Sequence, residues 1–326
     1  MATALRKLDG HIHLLGDGSS GSGCQILMNT PFRWLQSRVL LRAIGLDTGL
    51  LRGGLDEAYV GLLLREVRAS ALDGMVLLAQ DWPHDEAGHA LKERAAFYVP
   101  NHYLLNLAAK HSEIVPAVSI HPARADAMDE LERCIAGGAR ALKLLPNVHN
   151  VNCCNPAYQS FWKRVAQAGM VFIAHTGGEQ SLPVLRPEYS NPEILRLPLE
   201  CGVKVIAAHC AGSGSFWEPS YMSNWLKMLS TYPNLYGDNS ALASLNRAHG
   251  IKYLLAPDVQ ARIVHGSDYP IPTSALAARL WGAISQKDYR WIHRIENTLE
   301  RDVQIKRACG FASETFARFD ALLQGR

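Results

Sequence analysis

The stretch DGHIHL, residues 9–14, places two histidines at the end of a short apolar segment near the start of the chain. The segment predicts a buried first strand, and because a strand turns alternate side chains to opposite faces, His11 and His13 point the same way. Two imidazoles side by side on a rigid strand supply two of the nitrogen ligands that a divalent metal needs. Two histidines packed in the core would fit this stretch equally well, so the choice between the two interpretations depends on the later strands.

Seven further segments resemble the first, because each is short, apolar, rich in β-branched residues and followed by polar residues. Continuous apolar runs, in place of strict alternation, indicate strands that are covered on both faces, as in a parallel sheet. The segments are MVLLAQ (75–80), IVPAVSIHP (114–122), ARALKLLP (139–146), MVFIAHTG (170–177), VKVIAAHC (203–210), NLYGDNS (234–240) and ARIVHGSDYP (261–270).

Helical patterns separate these strands, and the clearest is PAYQSFWKRVAQAG (156–169). Pro156 suits a first helical turn and Gly169 suits the stop, while apolar residues recur on one face between them. Eight strands alternating with helices predict an α/β fold of the (β/α)8 TIM-barrel type. An open doubly wound sheet is the alternative, but its usual G-x-G-x-x-G motif does not follow the first strand.

The whole chain, 1–326, is predicted to form a single TIM-barrel domain with two additions. Residues 15–54 are an insertion after the first strand and a candidate lid, because loops that follow barrel strands build the active-site face. The insertion begins with GDGSSGSGC (16–24), which predicts a flexible connection, and a passive surface loop is the alternative. Residues 275–326 predict two or three C-terminal helices that pack on the barrel, including the basic stretch DYRWIHRIENTLERDVQIKRA (288–308).

Composition excludes several classes of protein. Apolar residues make up 48% of the 326 residues, so a large core is available and disorder is disfavoured. The net charge of +3 is too small and too scattered to indicate binding to nucleic acid or to an anionic membrane. No apolar run is long enough to cross a bilayer, and the N-terminus lacks the apolar stretch of a signal peptide. Seven cysteines without a CxxC pair predict reduced thiols in a cytoplasmic protein. The sequence is compatible with a homo-oligomer.

Further polar residues are predicted at the carboxyl ends of later strands, and a parallel barrel brings all of these ends to one face. In the fifth strand, His175 shares a face with Val171 and Ile173. In the sixth, every second residue from Val203 to His209 shares a face. Side chains from five different strands therefore converge. The candidate set is His11, His13, Lys143, His175, His209 and Asp268.

The chemistry of this set points to a metal. Several neutral imidazoles and a carboxylate suit a divalent ion, with Zn²⁺ as the first choice and a second ion left open, and they leave a position for water. Such an ion lowers the pKa of bound water from 15.7 to about 7. Asp268 is placed to accept the proton of that water, and His209 either polarises a substrate oxygen or binds a second metal.

Three roles are open to Lys143. A carboxylated lysine would be an anionic bridge between two metals. A plain amine would hold a substrate carboxylate or pair with an acid, and an exposed surface lysine is the third interpretation. The amine is preferred, because the sequence supplies only one clearly complete set of ligands.

The ordered pattern of HxH, strand-four lysine, two single histidines and a late aspartate resembles the amidohydrolase superfamily, and within it the amidohydrolase-related family of metal-dependent TIM-barrel hydrolases. The resemblance implies that His11, His13, His175 and Asp268 are metal ligands and that His209 is catalytic or a further ligand. Relatives often carry a histidine two residues after the strand-four lysine, where this chain has Leu145. The resemblance rests on DGHIHL, RALKLLP, VFIAHTGG, VIAAHCAG, NLYGDNSA and RIVHGSDYP, in order over residues 9–270.

Members of that family include hydrolases of small acids and lactones and non-oxidative decarboxylases of aromatic or unsaturated acids. The resemblance therefore implies a metal-dependent hydrolase of an ester, lactone or amide bond in a small molecule, with catalytic roles for Asp268, His209 and Lys143. A decarboxylase that uses the same ligands is the alternative. A catalytically silent binding barrel is a third hypothesis, disfavoured because no ligand of the set is missing.

Other polar residues rank below this set. His121 either lines the pocket or stabilises the turn before Pro122, whereas His149 and Glu179 are candidate substrate contacts. Asp238 either orients a ligand or caps the next helix. His265 lies three residues before Asp268, so on a continuous strand its side chain faces the opposite side of the sheet. It is therefore predicted to be structural.

Overall fold

The computed structural model describes residues 4–28, 30–215, 217–244 and 247–325. Within these ranges eight parallel strands lie side by side in chain order, with helices between them. This arrangement confirms the predicted TIM barrel. The barrel strands are β1 (Leu8–His13), β2 (Gly74–Leu78), β3 (Ile114–Val118), β4 (Ala141–Leu144), β5 (Val171–Ala174), β6 (Lys204–Ala207), β7 (Leu235–Asp238) and β8 (Ile263–Val264).

The barrel closes between its first and last strands, although β8 itself is only two residues long. The amide of Gly10 donates a hydrogen bond of 2.8 Å to the carbonyl of His265, and the amide of His13 donates one of 2.8 Å to Tyr269. In return, the amide of Asp268 donates a hydrogen bond of 2.9 Å to the carbonyl of His11. The segment that follows β8 is therefore bound directly to the HxH strand.

Helices surround the barrel and bury its outer face. Val171, Ile173 and Ile206 form an inner layer of side chains, which Phe319 of the last helix joins. Trp162 and Trp225 belong to a separate layer between the strands and the helices. The α-helices are α1 (Pro31–Ala43), α2 (Leu55–Arg68), α3 (Asn101–Lys110), α4 (Ala127–Ala136), α5 (Pro146–His149), α6 (Gln159–Gln167), α7 (Arg196–Glu200), α8 (Met222–Thr231), α9 (Pro257–Gln260), α10 (Ala275–Leu280), α11 (Gln286–Ile292), α12 (Thr298–Cys309) and α13 (Ser313–Leu323).

The start of the insertion after β1 is hydrogen-bonded to helix α2, and the flexible connection expected at 16–24 remains a prediction. The carboxylate of Asp56, at the start of α2, accepts hydrogen bonds from the amides of Asp17, Gly18 and Ser20, at 2.8, 3.1 and 3.0 Å. The hydroxyl of Ser20 adds a fourth bond of 2.7 Å. Gly18, with a φ of 83°, allows the backbone to turn around this carboxylate.

Two further elements shape the insertion. The short strand Gln25–Ile26 pairs antiparallel with Phe97–Tyr98, from the connection that follows β2. Helix α1 then begins at Pro31, where the hydroxyl of Thr30 accepts a hydrogen bond from the amide of Arg33. Both elements lie on the side of the barrel where the strands end.

The C-terminal region holds four helices, α10 to α13, where the sequence predicted two or three. The basic stretch 288–308 does not form one helix, because Asn297 is extended and caps a new helix by accepting a hydrogen bond of 2.8 Å from the amide of Glu300. Across the residues that the structure describes, each helix is too short or too polar to traverse a membrane.

Candidate metal centre and active site

The strand ends bring the predicted site residues to one face of the barrel. His11 and His13 lie on β1 and Lys143 lies on β4, while His175 directly follows β5. The amide of His175 still donates a hydrogen bond of 2.9 Å to Leu144, so the sheet ladder holds its position.

His209 reaches this face by a route that the sequence did not predict. The expected parity of the sixth strand was wrong: Val205 and Ala207 pack in the outer layer, and Ile206 faces the interior. Strand β6 ends at Ala207, and His209 then adopts a left-handed backbone with φ of 58°. Cys210 and Ala211 follow with φ of 50° and 56°, so three consecutive non-glycine residues are left-handed. This conformation costs of order 1–3 kcal/mol per residue and is found mainly at functional sites.

Asp268 also lies beyond its strand, because β8 ends at Val264. Its backbone is left-handed, with φ of 67°. The hydrogen bond of its amide to the carbonyl of His11 then fixes the carboxylate beside the HxH pair.

Three ligand atoms meet at the centre of this face. Nε2 of His11 and Nε2 of His13 each lie 3.3 Å from Oδ1 of Asp268. All three atoms lie within 4.8 Å of one another, and within the described ranges this is the one group of three or more His, Cys, Asp or Glu with such geometry. A first-row ion with ligand bonds of about 2.0–2.2 Å would bridge atoms so spaced.

The hydrogen bonds behind the histidines fix which ring nitrogen is free to bind an ion. Nδ1 of His11 lies 2.8 Å from Oδ2 of Asp238. Because an ionised carboxylate only accepts, Nδ1 carries the proton and Nε2 presents its lone pair to the group. This contact supports the first of the two roles predicted for Asp238, the orientation of a ligand.

The same carboxylate also sets the orientation of His209. Oδ1 of Asp238 accepts hydrogen bonds from the His209 amide, at 2.7 Å, and from the hydroxyl of Ser240. Since that hydroxyl gives its only proton to Asp238, its oxygen accepts from Nδ1 of His209, at 2.8 Å. Nε2 of His209 is therefore unprotonated and aimed at the cavity, as a ligand or a hydrogen-bond acceptor.

His175 supplies a further ring nitrogen. Its Nε2 atom is buried and makes no hydrogen bond within the described residues. Oε2 of Glu179 lies 3.6 Å from it, and the ring centroid lies 5.0 Å from that of His209. A buried nitrogen without a hydrogen bond is costly unless another ligand satisfies it, so this donor set fits a divalent ion.

Burial keeps the rings of His13, His175 and His209 neutral, which metal binding requires. It lowers the pKa of His13 to about 4 and that of His209 to about 3, and it holds the pKa of His175 well below its usual value. The pKa of Asp268 lies well below the usual range, although burial alone would raise it. The carboxylate is therefore ionised.

Lys143 is fully buried, with Nζ 3.1 Å from Nε2 of His11. The interpretation as an exposed surface lysine is therefore wrong. Burial lowers the pKa of the amine to about 8. The other two roles predicted for Lys143 remain open.

Two residues that the sequence analysis overlooked support the site. Oδ1 of Asp9 accepts hydrogen bonds from the amides of His11, at 3.0 Å, and Ser267, at 2.9 Å, and so joins the two segments that carry ligands. Arg247 lines the cavity and donates hydrogen bonds to the carbonyls of Gly178, at 2.6 Å, and Gly212, at 3.1 Å. Asp9 stands next to the HxH motif, which was a usable signal, whereas nothing in the sequence near Arg247 marks it.

The lower-ranked histidines form a separate buried cluster. Nε2 of His121 lies 3.0 Å from the carbonyl of His149, and Nδ1 of His121 accepts a hydrogen bond of 3.1 Å from the amide of Ala123. These contacts agree with the turn-stabilising role predicted for His121. His149, predicted as a substrate contact, is instead fully buried with its Nε2 2.9 Å from Nε2 of Gln80, and it is not among the residues that line the cavity. The ring of His265 packs against that of Phe316 at a tilt of 44°, with centroids 4.7 Å apart, as expected for a structural residue.

A cavity of about 430 Å³ opens above the group formed by His11, His13 and Asp268, called here the metal group. His13, His175, His209 and Asp268 lie at its inner end, and Glu179 contributes to the wall. The volume lies within the range of small-molecule sites.

Solved structures that resemble this chain share the barrel fold. An uncharacterized TIM-barrel protein from Bordetella bronchiseptica has a TM-score of 0.61 at 17% identity, over 99% of this chain and 100% of that one. A putative 2-pyrone-4,6-dicarboxylic acid hydrolase from Pseudomonas putida has a TM-score of 0.56 at 16% identity, over 99% and 98%. A 5-carboxyvanillate decarboxylase from Sphingomonas paucimobilis has a TM-score of 0.50 at 14% identity, over 96% and 99%.

Sequence comparison identifies the family. No curated protein sequence matches the chain significantly. The model of the Amidohydrolase family, however, matches residues 9–295, which span the barrel and all the site residues described above. The family implies a divalent metal, which His11, His13 and Asp268 are placed to bind. The chain therefore belongs to the amidohydrolase family of metal-dependent TIM-barrel enzymes.

Proposed function

We propose that this protein hydrolyses an ester, lactone or amide bond of a small molecule, with water activated at one Zn²⁺ ion. The observation that carries the proposal is the group of His11, His13 and Asp268, whose ligand atoms lie within 4.8 Å of one another at the end of a cavity. His175, whose buried Nε2 makes no hydrogen bond within the described residues, would complete the donor set. Imidazoles with one carboxylate suit Zn²⁺ and leave a position for water.

Each side chain has a defined part in such a reaction. The bound ion would supply water whose pKa is about 7 in place of 15.7. Oδ1 of Asp268 faces the two β1 histidines, so Oδ2 is the atom that takes a proton from water and later returns it to the leaving group. Nε2 of His209 accepts a hydrogen bond and orients the attacking group. Because its lone pair faces the cavity, His209 is a poorer donor to the leaving group than protonated Asp268.

Lys143 acts in this proposal as an amine. With a pKa of about 8, it is largely protonated at pH 7 and able to hold a substrate oxygen. Continuous electron density for extra atoms on Nζ in a crystal structure, or a requirement for bicarbonate during metal reconstitution, would show carboxylation instead. Either result would favour two bridged metals.

The reaction is tested with a panel of small esters, lactones, amides and aromatic acids, with proton release and carbon dioxide followed separately. Hydrolysis predicts proton release and solvent ¹⁸O in the product. Asp268→Asn should lower kcat by about 10²-fold or more, the scale of a positioned acid–base group. Asp258→Asn, on an exposed helix away from the site, is the control and should leave kcat unchanged.

A decarboxylase is the second candidate, because two cationic side chains, Lys143 and Arg247, lie at the site and would hold a substrate carboxylate. The same histidines would then bind the ion, and no water would enter the product. Carbon dioxide release without solvent oxygen in the product would favour this function over hydrolysis.

A reducing compartment, the cytoplasm, is the proposed location. All seven cysteines are free, and Cys153 and Cys154 are adjacent in the chain without being joined. Free thiols in this number are typical of proteins kept under reducing conditions.

A further inference from the structure

The cavity above the metal group has two chemically different zones. His13, His175 and Asp268 lie at its floor. Aliphatic, aromatic and proline side chains form most of the walls and roof. Six of them are Leu27, Leu40, Leu51, Phe97, Pro270 and Ile271.

The insertion supplies much of the apolar zone, and helix α1 does so with one face. On this face Leu40 and Leu41 line the apolar zone, and the polar side chains of Arg33 and Gln36 line the cavity beside them. The guanidinium of Arg33 is bound to the carbonyl of Ala95 at 2.9 Å, so this helix is held to the connection after β2. Leu35 is not among the lining residues and is 56% exposed.

We infer that the insertion 15–54 selects substrates with a large apolar body, roughly six or more carbon atoms, attached to the group that reacts at the metal. This inference rests on the proposed function and names its substrate class. Small, fully polar acids would leave the apolar walls in contact with water and would gain nothing from α1. An alkyl or aryl body would instead cover Leu40 and Phe97 while the reacting group contacts the floor.

The size of the cavity sets the expected length of this body. At about 30 Å³ for a water-sized group, 430 Å³ holds roughly 14 such groups. The reacting group and the water at the floor take several of these positions. Each methylene buried should raise kcat/KM by about fourfold, which corresponds to about 0.8 kcal/mol. The gain should stop when the apolar zone is full.

The test separates binding from turnover. Straight-chain carboxylates from butyrate to decanoate are titrated into the metal-loaded protein by calorimetry, and γ-lactones with alkyl groups of matching length are assayed for hydrolysis. The inference predicts affinity that rises with chain length and then levels off. Butyrate and decanoate with equal affinity would overturn it.

Substitutions at two positions of α1 locate the effect. Leu40→Asp should weaken decanoate binding by at least tenfold and leave butyrate unchanged. Leu35→Asp, on the exposed side of the same helix, is the matched control and should change neither. Leu40→Trp should instead shorten the longest chain that still adds affinity, which keeps the test valid where the aspartate variant misfolds. Equal effects of Leu35→Asp and Leu40→Asp would contradict the inference.

The outcomes distinguish the inference from the function on which it rests. Chain-length-dependent binding without hydrolysis of any ester, lactone or amide would refute the proposed function and retain the apolar site. Hydrolysis with no dependence on chain length would retain the function and refute the apolar selection.

Discussion

Replacing Asp238 with asparagine should weaken metal binding, although Asp238 is not itself in the candidate ligand set. In the native protein one carboxylate serves both histidines, since Oδ2 accepts from Nδ1 of His11 and Oδ1 accepts from the His209 amide and Ser240. An asparagine has only one oxygen. If this oxygen keeps the bonds to His209 and Ser240, the amide NH₂ faces Nδ1 of His11.

That reversal changes the tautomer of His11. An NH₂ group donates, so Nδ1 would have to accept and the ring proton would move to Nε2, the atom that faces His13 and Asp268. A protonated Nε2 has no lone pair for a metal. Losing an orienting partner of this kind costs about 10–100-fold in metal affinity, which corresponds to about 1.4–2.7 kcal/mol. We expect a loss of metal affinity near the upper end of this range, about 100-fold, because Asp238→Asn reverses the hydrogen bond instead of only removing it.

The assay is a chelator competition that measures the Kd for Zn²⁺, with metal content measured by mass spectrometry and folding checked by circular dichroism. Asp258→Asn makes the same chemical change on an exposed helix and should bind the ion like the native protein. The Zn²⁺ affinity of Asp238→Ala should lie between those of Asp238→Asn and Asp258→Asn. The alanine leaves Nδ1 of His11 without a partner but does not oppose the proton on Nδ1. A folded Asp238→Asn protein with native Zn²⁺ affinity would refute the tautomer argument.

Three other predictions concern the ligands and the buried charges behind them. Joint replacement of His11 and His13 by alanine should remove most of the bound metal, and full metal content by mass spectrometry in this variant would eliminate the proposed site. Lys306→Met leaves the buried carboxylate of Asp302 without its partner and should cost about 3–5 kcal/mol of unfolding free energy in urea at pH 8. Asp302→Leu combined with Lys306→Met should recover most of that loss, and no recovery would show that the pair does not act as a unit. Burial raises the pKa of Asp302 to about 7, so the native state keeps this proton to a higher pH than the unfolded chain. The stabilisation by this proton is complete below about pH 4 and is lost as the pH rises to about 7. Asp302→Asn should therefore reduce the fall in unfolding free energy between these two pH values. An unchanged slope of unfolding free energy against pH would contradict the raised pKa of Asp302.

Much of the architecture was predictable because it depends on local patterns. Continuous apolar runs such as those ending at His13 and His175 require burial on both faces, and a parallel barrel with helices outside is the arrangement that provides it for eight of them. The ends of parallel strands necessarily meet at one face, so strand order alone brought His11, His13 and His175 together.

Errors arose where the backbone left regular geometry. Alternation along a strand predicts which face a side chain takes only while the strand continues, and β6 ends two residues before His209. The left-handed turn that aims His209 into the barrel is stabilised by the bonds of Asp238 and Ser240, which come from another strand. A pattern read along one segment contains no information about such a partner.

The barrel, the order of its strands and the candidate ligand types were predictable from local patterns, because these follow from hydrophobic periodicity and from strand ends. Only the folded chain reveals the tautomers of His11 and His209, the burial of Lys143, the hydrogen bonds of Asp9 to two segments and the position of α1 beside the cavity. Each of these depends on contacts between residues far apart in the chain, and the direction of a hydrogen bond or the exposure of an amine is fixed only when both partners are in place.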